Sequence, residues 1–85
     1  MPARIPGWKY DLVHSAILAI LPASGEGIEF RELPGLVEGK ISRLDLEKLG
    51  LVSWYTTIVK LEMELRGELE RVPGSKPQRL QRSMN

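Results

Sequence analysis

The chain has no cysteine and one histidine among its 85 residues. The first absence excludes disulfide staples, thiolate nucleophiles and thiolate-rich zinc sites. The second excludes multi-histidine metal centres and removes the familiar base–nucleophile triads, since His14 is the sole imidazole. Long apolar runs are missing as well. The longest nearly apolar stretch, Ser15 to Pro22, falls far short of the roughly 20 residues that cross a bilayer. No apolar segment near the N-terminus ends in the small residues of a cleavable leader. A cytoplasmic protein with no membrane partner is expected, and neither an enzyme nor a metal or cofactor carrier. No internal repeat or low-complexity segment interrupts the chain.

What is present supports one small domain spanning 1–85. An apolar fraction of 42% suffices for a single modest core. The net charge of +1 is uninformative, but its distribution is not. Residues 1–70 carry a net of −3 and residues 71–85 a net of +4, from Arg71, Lys76, Arg79 and Arg82. Such asymmetry makes the C-terminal arm a candidate anion-binding surface, or simply a solvated tail.

Pro2, Pro6 and Gly7 mark residues 1–8 as an arm lying against the core, with Trp8 as its anchor. A first helix is predicted from about Lys9 or Asp11 to Leu21. Leu12, Ala16 and Ala19 lie on one part of its face and Val13, Ile17 and Ile20 on the adjoining part. His14 falls at the edge of that face. Pro22 and Gly25 end the helix. Ile28, Glu29 and Phe30 alternate as a minimal strand that needs the C-terminal hairpin to pair with. Leu33, Leu36 and Val37 give a short second helix, with Pro34 tolerated in its first turn and Gly39 as its stop. Residues 40–52 read as a helix of one or two turns or as an irregular loop. Ser42 and Asp45 resemble a capping box, Leu46 and Leu49 face the core, and Gly50 closes the turn.

Ser53 is the expected N-cap of a long helix. Trp54, Ile58, Leu61 and Leu65 form its expected buried face, with Tyr55 at the border. Thr56, Lys60 and Met63 are expected on the solvent side, flanked by Thr57 and Val59. Gly67 ends the helix as a left-handed cap. Leu69 then points inward, with Glu68 and Glu70 outward and Val72 inward again. Residues 73–77 (Pro-Gly-Ser-Lys-Pro) reverse the chain, Leu80 is the inward residue of the return strand, and residues 83–85 fray.

The order of these elements resembles the winged helix-turn-helix fold. It implies an α+β domain with three main helices, a short extra turn of helix and a C-terminal β-hairpin wing. The run Trp54, Tyr55, Thr57, Val59, Lys60, Leu61, then Arg66 to Gly74, then Pro77 to Leu80, is similar to a small prokaryotic family of unknown function. The upstream Ala16-to-Leu33 segment looks like that family's first helix and strand. That resemblance implies no chemistry.

The winged-helix resemblance implies that the long helix occupies the recognition position and that double-stranded DNA is the partner, possession of a regulatory role included. Ser53 and Thr56 would then meet phosphate or base edges, and Lys60 a phosphate or guanine. Arg71, Lys76 and Arg79 would lay the wing along the backbone. Against this stand Glu62, Glu64, Glu68 and Glu70, which phosphate repels. Arg71 also has a simpler partner in a nearby glutamate. The alternative is a protein-interaction or homodimerisation module without DNA binding, in which an exposed Met63, Val59, the N-terminal arm or the first helix supplies the contact.

Overall fold

A computed structural model describes residues 5–23 and 25–83. The expectations for residues 1–4 and 84–85, the outer arm and the end of the tail, lie outside the described residues. The elements run α1 (Gly7–Ile20), β1 (Ile28–Glu29), a 3-10 turn (Phe30–Glu32), α2 (Leu33–Gly39), α3 (Arg43–Leu49), α4 (Val52–Leu65), β2 (Leu69–Arg71) and β3 (Arg79–Arg82). The strands form one antiparallel sheet in the order β1-β3-β2. Four helices followed by a hairpin whose return strand takes up β1 make this an α+β domain of winged-helix form.

Local chemistry sets each boundary. Pro6 caps α1, and its carbonyl accepts from the N–H groups of Lys9 and Tyr10 at 3.0 and 3.1 Å. The helix therefore starts earlier than the sequence implied. Trp8 sits in its first turn, half exposed, and does not anchor an arm. Val13, Ala16 and Ile17 are the buried residues of α1, with Leu21 buried just past its end. Ala19 is exposed, so the packed face is narrower than expected. Pro34 lies in the first turn of α2, where its missing N–H costs no helical bond. Leu33 and Val37 are buried there, whereas Leu36, expected inward, is exposed. Ser42 caps α3 by accepting the Asp45 N–H at 3.2 Å, so a helix forms here and not the irregular loop. Leu49 of α3 is fully buried and Leu46 partly so.

The strand at Ile28 is two residues long and not three. Phe30 turns into the 3-10 segment, although its N–H still bonds the Gln78 carbonyl at 3.0 Å. Ile28 pairs with Leu80 and Glu29 with Arg79 on one side of β3, and Leu69 pairs with Arg82 on the other. Leu69 and Leu80 point into the core, as the alternation required. A Cβ on Gly27 would stand 2.7 Å from the Leu80 carbonyl oxygen and 2.8 Å from a Val72 methyl. Glycine is what lets the chain enter β1 this close to the hairpin. The ladder also continues past β3, because the Ser83 N–H donates to the Glu68 carbonyl at 3.1 Å. Ser83 is thus tied down where fraying was expected.

Helix α4 ends in a Schellman motif. Gly67 has φ 75°, its N–H bonds the Glu64 carbonyl, and the Glu68 N–H reaches back to Met63. The start differs from expectation. Leu51 is the cap residue with no side-chain capping bond, and Ser53 lies inside the first turn. The larger correction concerns the faces. Thr56, Val59, Lys60 and Met63, at spacings of three and four, form the buried stripe against α1 and α2. Trp54, Leu61 and Leu65 are on the outer side, 46%, 38% and 78% exposed, and Ile58 is half-buried.

The physical reason is that both sides of α4 carry apolar groups, so hydropathy alone does not choose between them. Small and slender residues fit where α1 presents Val13, Ala16 and Ile17. Lys60 is tolerable inside because its charge is matched. Its amino group forms an ion pair with Glu64 and lies 4.7 Å from the centre of the Phe30 ring.

Candidate protein-interaction surface

The outer side of α4 is the largest feature that the core leaves unexplained. Leu51, Trp54, Ile58, Leu61 and Leu65 follow each other at spacings of three, four, three and four. That is the seam of a coiled coil, which keeps one narrow apolar ridge in line along a helix. Leu51 at 73% and Leu65 at 78% stand out furthest, one at each end. The ridge leaves on the order of 500 Å² of apolar side chain in water, the upper part of the range for the largest patch on a monomer.

At its N-terminal end the ridge borders a concave groove of about 400 Å³. Lys9, Leu49, Gly50, Leu51, Trp54 and Tyr55 are among its walls. Gly50 bends the chain there with φ 88°. The Lys9 amino group donates to the Leu49 carbonyl at 3.2 Å and to the Tyr55 hydroxyl at 3.1 Å, tying α1 to the start of α4. Lys9 also lies 4.9 Å from the centre of the Tyr55 ring, while Trp54 meets Tyr55 edge to face at 5.0 Å. The groove is therefore preformed, apolar along one wall and positively charged along the other.

The six residues expected to contact nucleic acid do not converge. Thr56 is fully buried and Lys60 is 3% exposed, so neither side chain reaches a duplex in this conformation. Ser53 is exposed, and its carbonyl accepts the Thr57 hydroxyl at 3.0 Å. Arg71 donates to Glu64 at 3.3 Å, extending the Lys60 pair into a three-membered network. Arg79 lies 3.5 Å from Glu29, which also accepts from Arg31 at 2.9 Å. Lys76 stands exposed in the turn of the wing. Three of the four candidate cations thus sit beside carboxylates, and Glu64, one of the acids that weaken the DNA reading, is the partner of two of them.

A second ionic group ties α1 to the end of α4. His14 lies 2.7 Å from Glu68 and stacks on Tyr10 at 5.5 Å, and Arg66 donates to Glu62 at 3.0 Å. Burial holds the Tyr10 phenol above its usual pKa, with the nearby Arg66 charge opposing. The Glu62 hydrogen bond holds the Arg66 guanidinium more firmly protonated still. Among the described residues no cluster of three acids or histidines could hold a metal ion, and no helix is long and apolar enough to cross a membrane.

The ridge is visible in the sequence as spacing, but the same spacing fits a stripe that faces the core. The groove was not visible, because Lys9 and Tyr55 are distant in the chain and meet only through the packing of α1 on α4.

The fold and surface together define a small winged-helix-type α+β domain with an uncovered helix face. The chain belongs to the family of unknown function DUF6958, whose model matches residues 2–80. No curated protein and no solved structure matches it.

Proposed function

We propose that this domain is a protein-interaction module that works by burying the outer ridge of α4 against an amphipathic helix. The observation that supports it is the unbroken seam spacing of Leu51, Trp54, Ile58, Leu61 and Leu65 on the side of α4 facing away from the core. A ridge of this kind is costly to leave in water and has the geometry that one further helix covers. Trp54 is the natural anchor, since a partly buried indole beside a preformed groove is the kind of residue that dominates interface energies.

The double-stranded DNA reading, with a regulatory role, draws less support from this arrangement. Its two central helix contacts, Thr56 and Lys60, are inside, and Arg71 and Arg79 are engaged by Glu64 and Glu29. Lys76 and the winged-helix topology are what remain in its favour.

Photo-crosslinking separates the two. A photoreactive residue placed at position 58 or 65 in cells is expected to give adducts with protein, while the same residue at wing position 74 gives none. Titration with mixed-sequence duplex at low and moderate salt is expected to show no steeply salt-dependent binding. Protein adducts absent from 58 and 65, with salt-dependent duplex binding that disappears on replacing Lys76 and Arg79 together, would reverse the preference.

A further inference from the structure

We infer that the helix covering the ridge is α4 of a second copy of this chain, lying antiparallel across a two-fold axis near Ile58. The inference rests on the interaction reading above and names its partner. Three features of the surface carry it.

The first is self-complementarity of shape. Leu51 and Leu65 are each seven residues from Ile58, about 10 Å along a helix axis in opposite directions. An antiparallel mate centred on Ile58 therefore sets its Leu65 level with Leu51, beside the groove that Leu51, Trp54 and Tyr55 border. The most exposed apolar side chain of the ridge is thus offered to its most concave part, twice over, as an isologous contact requires. Trp54 falls level with Leu61 in the same register. A parallel mate sets Leu65 against Leu65 and leaves both grooves without an insert.

Charge provides the second. The groove end of the ridge carries Lys9 and Lys48, while at the far end Glu64 is held by Lys60 and Arg71, Glu68 by His14 and Arg66 by Glu62. Antiparallel pairing keeps the two lysine ends apart, each against the balanced far end of its mate, and sets the two helix dipoles head to tail. Parallel pairing opposes like with like.

Area is the third. Two such ridges together remove about 1,000 Å² from water, the size at which specific interfaces begin, so the pair is a reversible dimer and not an obligate one.

The absence of cysteine makes the test clean, because each introduced thiol is unique. Sedimentation of the purified chain at roughly 100 µM is expected to give a dimer, and Leu65→Glu to weaken it at least tenfold while leaving the thermal midpoint at high dilution unchanged. With a short bis-maleimide, Ile58→Cys is expected to crosslink to itself. Leu51→Cys alone and Leu65→Cys alone are expected to stay single, and an equal mixture of the two to give a crosslinked pair. Self-crosslinking of Leu65→Cys would overturn the antiparallel arrangement. A monomer at that concentration would overturn self-pairing altogether. If position 58 then still captured a different protein in cells, the interaction reading would survive without it; if it captured none, both would fall.

Discussion

The two sides of α4 face opposite environments with part of their chemistry exchanged. The inner side puts a threonine and a lysine, Thr56 and Lys60, among Val59, Met63 and the apolar residues of α1 and α2. The outer side puts tryptophan and leucine in water. Each side is explicable alone. Inside, the long lysine stem packs as hydrocarbon while its charge finds Glu64 and the Phe30 ring. Outside, the apolar groups line up at seam spacing. Taken together they teach that burial in a small domain follows fit to the neighbouring helix, and that surplus apolar surface is then available for association.

The sharpest way to break this comparison is to truncate one residue on each side. Met63→Ala should cost about 2–5 kcal/mol, because it empties a fully buried position in the core cluster. Leu65→Ala, measured at concentrations where the chain is monomeric, should stay within about 0.5 kcal/mol. Urea denaturation of the two variants gives the answer directly. Equal losses would mean that the ridge belongs to the monomer core and has no surplus to offer.

A second test acts on the inner side alone. Glu64→Ala removes the counter-charge of a lysine that is 3% exposed and also releases Arg71. Removing one member of a buried pair costs about 3–5 kcal/mol, and the partial exposure of Glu64 places this case near about 2–3 kcal/mol. Lys60→Met keeps the stem and deletes the charge, and should cost less than Glu64→Ala, since the Glu64 left behind is 22% exposed and keeps Arg71 as its partner. If Lys60→Met proved as damaging as Glu64→Ala, the pair would be stabilising the fold outright, beyond being tolerated by it.

Much of the framework could be read from residue order. Ser42 with Asp45 announced α3, Gly67 announced the end of α4, and Leu69 and Leu80 announced which faces of the hairpin point inward. These are local signals, decided within a few residues. The faces of α4 were not legible because the decision is not local. Ile58, Val59, Leu61 and Met63 spread apolar groups over more than half of the helix circumference, and the side that docks is settled by the packing of α1 and α2 on it. The rule that lysine points to water favours the wrong side here. It fails at Lys60 because Glu64 one turn later and the nearby Phe30 ring both serve its charge, and Phe30 is thirty residues distant in the chain. The exposed ridge is hidden from the sequence for the same reason, since its spacing equally fits a core-facing stripe.

Thr56 offers the finest test of how dry the inner side is. Its side chain is fully buried, and its hydroxyl has no hydrogen-bond partner among the described residues. A buried hydroxyl without a partner has given up its bonds to water and gained nothing in return, a penalty of about 1–3 kcal/mol. Thr56→Val replaces that hydroxyl with a methyl of nearly the same shape. Both residues branch at Cβ, so their helix propensities nearly cancel. The variant should therefore gain about 1 kcal/mol, seen as a higher urea midpoint at unchanged slope. Thr56→Ser is the control, because it keeps the hydroxyl and removes the methyl, and it should lose stability. A loss on going to valine would mean that the hydroxyl is bonded in solution, and the inner side of α4 would then be a polar contact with α1 and α2 and not a packed apolar one.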